Sequence, residues 1–172
     1  MAELTPRERL QPALLDRLTD HDPQKAQEPV GERVLNMRQL RRSVLRDLAW
    51  LLNTVNYQAA DSLEGHPLVA RSVVNYGIPE LTGRVVATMT SKELEALVRQ
   101  AIVDFEPRIL PDSVRVRAIL SQDEMNRNAV GFEIEGDLWA HPLPQRLLIK
   151  TEIDIETGHV SIPGTAADAD AG

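Results

Sequence analysis

The chain has 172 residues, 42% hydrophobic and 26% charged, with 26 acidic against 19 basic side chains and a formal charge of −7. That length and mixture predict one main folded domain, and the negative balance argues against nucleic acid as a partner, because such binding neutralises phosphates with Lys and Arg. Without cysteine there is no disulfide, no thiolate metal site and no cysteine nucleophile.

The opening stretch MAELTPRERL is charged and lacks the apolar region of a secretory signal. No apolar run approaches the roughly 20 residues a membrane span needs. The expectation is a soluble intracellular protein with no direct membrane insertion. Two each of Trp, Tyr and Phe leave the core to Leu, Val and Ile.

Residues 1–18 read as an N-terminal helical segment. Thr5 suits its cap, Pro6 its first position, and Pro12 a kink, with Leu10, Leu14, Leu15 and Leu18 as an apolar stripe. Residues 19–33, with two prolines, a glycine and no periodicity, read as a connector. Residues 34–162 form the predicted main domain. Its first helix is NMRQLRRSVLRDLAWLLNTV, where Met37, Leu40, Val44, Leu48, Leu51, Leu52 and Val55 follow one buried face. Arg38, Arg42 and Arg46 repeat every four residues on another face, which reads either as a solvated face or as a docking face for an acidic partner.

A short helix is expected across Pro67 to Asn75, closed by Gly77 and Pro79. TSKELEALVRQAIVDF is a second amphipathic helix. Thr90 and Glu93 form its capping box, Leu94, Leu97, Val98, Ala101, Ile102 and Phe105 its buried stripe, and Glu106, before Pro107, its end.

The period then changes from 3.6 to 2. VRVRAIL, VGFEIEGDL and RLLIKTEIDIE alternate apolar with charged residues, as half-buried strands do. In the third, Leu147, Ile149, Ile153 and Ile155 are the expected inward set. The basic row of the first strand can lie beside the acidic row of the second. HVSI, after a Thr157-Gly158 turn, is a short fourth strand, and residues 163–172 read as a disordered tail. The predicted fold class is α+β: N-terminal helices packed on one face of a mainly antiparallel sheet of three to four strands.

The chain carries no phosphate-cradling glycine loop, no nucleophile elbow and no zinc-protease motif, and His21, His66, His141 and His159 are scattered. No cofactor or metal is expected. The remaining candidate chemistry is DFEPRIL, residues 104–110. Asp104 and Glu106 suggest the acid pair of a peptidoglycan hydrolase. Two residues apart at a helix end, however, they point in different directions. Arg108 beside Glu106 also favours the ionised carboxylate, the wrong direction for a general acid. Glu106-Pro107-Arg108 reads either as a solvated corner, where an exposed ion pair contributes about 0–1 kcal/mol, or as a docking motif built on a carboxylate and a planar guanidinium.

LLDRLTD, SVLRDLAWLLNT, SVVNYGIPEL and FEPRIL, in that order, resemble the TssE family of type VI secretion baseplate subunits, itself similar to a baseplate wedge protein of contractile-tailed phages that has carried a lysozyme label. The resemblance runs over roughly residues 10–160. It implies a non-enzymatic, structural role in the cytoplasm, at a baseplate beneath the inner-membrane complex. There such subunits join wedge components and help start assembly of the contractile sheath. It implies contact of Glu106, Pro107 and Arg108 with the wedge's core helical bundle, and makes Arg38, Arg42 and Arg46 a more plausible contact face. The implied partners are the wedge subunits TssF, TssG and TssK, the sheath proteins TssB and TssC by strand addition at an edge within residues 145–162, and the spike or hub indirectly. A hydrolase and a soluble regulatory binder of related fold are the alternatives.

Overall fold

The computed structural model describes residues 13–19, 36–81, 88–120, 129–140, 143–154 and 156–163. The expected features at Thr5, Pro6, Leu10 and Pro12, the connector from residue 20 onward, His21, His141, Ile155 and the tail from residue 164 lie outside the described residues.

Four α-helices are described: α1 (Leu14–Leu18), α2 (Met37–Leu52), α3 (Pro67–Ala70) and α4 (Ser91–Phe105). Four strands follow: β1 (Arg115–Leu120), β2 (Ala129–Leu138), β3 (Gln145–Asp154) and β4 (Val160–Ser161). They form one antiparallel sheet in the order β1-β2-β3-β4. This is the α+β class read from the change of period. Chain order equals spatial order because each strand turns back onto its predecessor, as short antiparallel connections allow.

Both long helices begin with the same device. The Asn36 side chain accepts from the Gln39 N–H while Gln39 reaches back to the Asn36 N–H, each at 2.9 Å. Thr90 and Glu93 do the same for α4, with Glu93 accepting from the Thr90 N–H at 2.7 Å. Those bonds hold the Glu93 carboxyl below its ordinary range. Thr90→Ala is expected to cost about 1 kcal/mol in urea unfolding, with the midpoint shifted and the slope unchanged.

Leu40, Val44, Leu45, Leu48, Leu51 and Leu52 of α2 and Leu94, Val98, Ala101 and Ile102 of α4 share one core with the sheet's inward set, Val116, Val130, Phe132, Ile134, Leu138, Leu147, Ile149 and Ile153. Leu97 and Phe105 pack at its margin. Thr151 takes the inward place between Ile149 and Ile153. Among the described residues, no helix is long and apolar enough to cross a membrane.

Three local expectations are corrected, and a fourth holds. The α1 leucines do not form a buried stripe: Leu14, Leu15 and Leu18 are 70%, 43% and 73% exposed. Periodicity marks a face that is able to bury, but nothing described covers this one. The α2 helix ends at Leu52, not Val55, because Asn53 leaves helical geometry, and Val55 instead bridges Ile78. The helix expected across 67–75 splits into α3 and a 3-10 turn, Val73–Asn75. Ser72 stands between them in extended backbone and its side chain caps the second piece. The basic row of β1 does lie beside the acidic row of β2, Arg115 opposite Glu135 and Arg117 opposite Glu133, and Glu135 also closes an ion pair with Arg146 of β3, at 2.8 Å. Arg146 first, with Arg117 and Arg115 adding, holds the Glu135 carboxyl below its ordinary range.

Candidate functional site

The corner between α4 and the sheet is set by Pro107. Glu106 closes α4, its N–H donating to Ile102, and the Ile109 N–H returns to the Glu106 carbonyl at 3.2 Å. The chain then runs against the end of β2. Leu110 donates to the Asp137 carbonyl at 2.9 Å, and Trp139 to the Arg108 carbonyl at 2.7 Å. Pro107 stays exposed at the apex, while the side chains on either side of it turn inward.

This corner is not a solvated one. Glu106 is only 4% exposed, and the Arg108 side chain 22%. Arg108 Nε donates to Glu106 Oε1 at 2.7 Å and Nη2 to Oε2 at 2.5 Å, a bidentate pair, and its own backbone N–H also reaches Oε1. Nη2 further meets Asp47 Oδ2 at 2.6 Å, and Nη1 meets Ser43 Oγ at 3.0 Å. Burial works against the Arg108 charge, but Glu106 and Asp47 outweigh it and raise its pKa. The guanidinium is permanently charged and clamped between the end of α4 and the side of α2.

The network continues along α2. Arg46 donates to Asp47 Oδ1 through Nε at 2.9 Å and to Asp16 Oδ1 through Nη1 at 2.6 Å. Ser43 donates to Asp16 Oδ2 at 2.6 Å. Arg46 also lies 5.1 Å from the centre of the half-exposed Trp50 ring, a cation–π contact. Three carboxylates (Asp16, Asp47, Glu106) therefore surround two guanidinium groups (Arg46, Arg108). Burial raises the Asp16 pKa, but Ser43 and Arg46 together overcome it and the net shift is downward. The Asp16 tie is therefore complete above the ordinary aspartate pKa and is lost as pH falls through the lowered one.

Tyr76 completes the corner. Its ring meets Phe105 edge-on at 5.4 Å, and its hydroxyl donates to the Asp47 carbonyl at 3.4 Å. Burial, then the charges of Asp47 and Glu106, push the phenol's pKa up.

Among the candidates read from the sequence, Glu106, Arg108 and Arg46 thus join one charged network, with Pro107 at its apex. Arg38 and Arg42 lie elsewhere on α2, exposed and making no ion pair among the described residues. Asp104 is turned away from Glu106. Arg71 holds it at 2.8 Å and Gln100 at 2.8 Å. Asp16, Ser43 and Asp47 were not singled out from the sequence. The signal available for the last two was their spacing of four on α2, two polar residues against an apolar face.

A family model described as Baseplate wedge protein gp25 matches residues 38–143, more than half of the chain. No curated protein and no solved structure matches it. The match runs from α2 through the Glu106-Arg108 corner and past the end of β2, so every element that builds the corner except α1 lies inside it. The chain belongs to the gp25 family of baseplate wedge proteins.

Proposed function

We propose that this chain is the TssE-type subunit of a type VI secretion baseplate, cytoplasmic, joining the wedge subunits TssF, TssG and TssK and helping the TssB–TssC sheath to start. The observation that carries this reading is a convergence. SVLRDLAWLLNT supplies Ser43 and Asp47, SVVNYGIPEL supplies Tyr76, and FEPRIL supplies Glu106 and Arg108, and all five residues meet at one corner. Stretches that lie far apart in the chain but resemble one family build a single rigid feature. Its exposed apex, Pro107, and the row of Arg38 and Arg42 are what a helical bundle would meet.

The sheet's edges support the second half of the reading. The outer edge of β1 is closed by α4, with Glu95 accepting from the Ala118 N–H at 2.9 Å and Arg99 donating to the Val114 carbonyl at 3.1 Å. The β4 edge is closed by Asn53, whose amide both donates to the Val160 carbonyl and accepts from its N–H at 2.8 Å. On the outer side of β3, β4 pairs only with Glu152 and Ile153. From Arg146 to Lys150 that side carries one bond among the described residues, Arg41 to the Leu148 carbonyl at 3.4 Å. An incoming sheath strand would pair there.

Leu148→Pro tests this. The Leu148 N–H lies on the outer side, by its alternation with Asp154, which donates to His159 across that edge. Proline is tolerated on an edge strand when its missing N–H faces outward. The expected result is a folded chain that still captures wedge subunits from co-expressed baseplate components and no longer recruits sheath protein. Normal sheath recruitment by the variant would remove the strand-addition role. Failure of the wild-type chain to capture wedge subunits would remove the whole reading.

A further inference from the structure

The α1 helix is short and superficial. It has five residues, none buried, and its three leucines face outward. A helix that short does not persist on its own propensity. Among the described residues, its one side-chain tie to the rest of the chain is Asp16, whose two carboxylate oxygens meet Ser43 and Arg46 at 2.6 Å each while the side chain is only 14% exposed. Asp16 sits the way a bound ligand's carboxylate would.

The site it fills has a built polarity. The Ser43 oxygen accepts from Arg108 Nη1 at 3.0 Å and from Arg46 Nη2 at 3.4 Å. With both acceptor positions facing guanidinium groups, the single hydroxyl hydrogen is committed outward and requires an acceptor there. Without Asp16 the network holds Asp47 and Glu106 against Arg46 and Arg108, two charges of each sign. An incoming carboxylate would therefore meet a ready donor pair without repulsion from an excess of acids. Arg38 and Arg42, exposed and without ion pairs among the described residues, lead to this point along α2 at spacings of four.

We propose that Ser43 and Arg46, backed by Arg108, form an acceptor for a carboxylate on an acidic partner helix, and that Asp16 holds the acceptor in the free chain until that helix displaces it. The proposal rests on the wedge reading above and specifies how its site is regulated. The partner helix carries acidic residues at spacings of four, tracking Arg38, Arg42 and Arg46, and one of them takes the place of Asp16. The α1 helix, which Asp16 ties to α2, is then released.

The test uses the full chain and the purified TssF–TssG wedge subunits. If Asp16 fills the acceptor about nine-tenths of the time, Asp16→Asn binds them about tenfold more tightly than wild type, because the competent fraction rises by that factor. A spin label at Arg17→Cys, unique in a chain without cysteine, is restrained in the free wild type. It becomes mobile both in the Asp16→Asn background and when wild type binds the wedge subunits. Equal or weaker binding by Asp16→Asn, with wild type binding well, overturns the acceptor and leaves the wedge reading intact. A label that stays restrained in Asp16→Asn also overturns it. If neither chain binds, the wedge reading falls and the acceptor falls with it.

Discussion

Arg108→Ala is expected to destabilise the free chain by about 3 kcal/mol in urea unfolding, before any partner is involved. Glu106, 4% exposed in the intact chain, would lose the bidentate donor that balances it, and Asp47 and Ser43 would each lose a bond. A buried carboxylate without its counter-charge is the costly case, because desolvation remains when the attraction is gone. Glu106→Gln should cost less, since Asp47 still faces the guanidinium and the amide oxygen can still accept. Replacing both with apolar residues of similar volume should recover part of the loss, and a double-mutant cycle would measure the coupling. A change below about 1 kcal/mol for Arg108→Ala would mean that the corner behaves as an exposed pair. The result also bears on assembly experiments. With the corner buried, wedge capture by these variants is informative only at temperatures where their fold is verified.

Gly77→Ala is the second large effect. Gly77 has φ of +119°, and a Cβ there would stand 2.3 Å from the Thr54 carbonyl oxygen and 3.1 Å from the Asn56 nitrogen. Both neighbours are backbone, and both are fixed: Ile78 donates to Thr54 and Asn56 donates to Ile78, at 2.9 and 3.0 Å. The added methyl therefore breaks the bridge that ties the end of α2 to the segment leading from Tyr76. Backbone strain of about 1–2 kcal/mol adds to an overpacking cost of about 1–3 kcal/mol, so a loss of about 3 kcal/mol or failure to accumulate folded protein is expected. Gly65→Ala separates the two contributions. Gly65 has φ of +85° with nothing within 4 Å of the added Cβ, so only the conformational part remains. If Gly77→Ala unfolded no more easily than Gly65→Ala, the close approach would carry no energetic weight.

Local and long-range determinants divide cleanly in this chain. The Thr90–Glu93 box, the end of α4 before Pro107 and the alternation of the three longer strands were legible because each depends on neighbours within one turn or one pleat. The gp25-family membership was legible too, through SVVNYGIPEL and FEPRIL. The Asn36–Gln39 box obeys the same local rule and was there to be found. The α1 leucines show the limit of periodicity: their spacing is helical, yet exposure is decided by what lies opposite.

The corner itself needed the tertiary structure. Arg108 meets Ser43 and Asp47 across separations of 65 and 61 residues, and Asp16 reaches Ser43 across 27. The sequence by itself determined where α4 stops, that Glu106 and Arg108 flank a proline, and that the sheet alternates. It left open whether those two charges face water or each other. Local spacing fixes the direction in which a side chain leaves its own element, but the cost and strength of a charge depend on what other elements exclude water from it. Here α2, α1 and Tyr76 do so, and only their packing turns an ordinary helix end into a partly buried, five-charge junction centred on the buried Glu106.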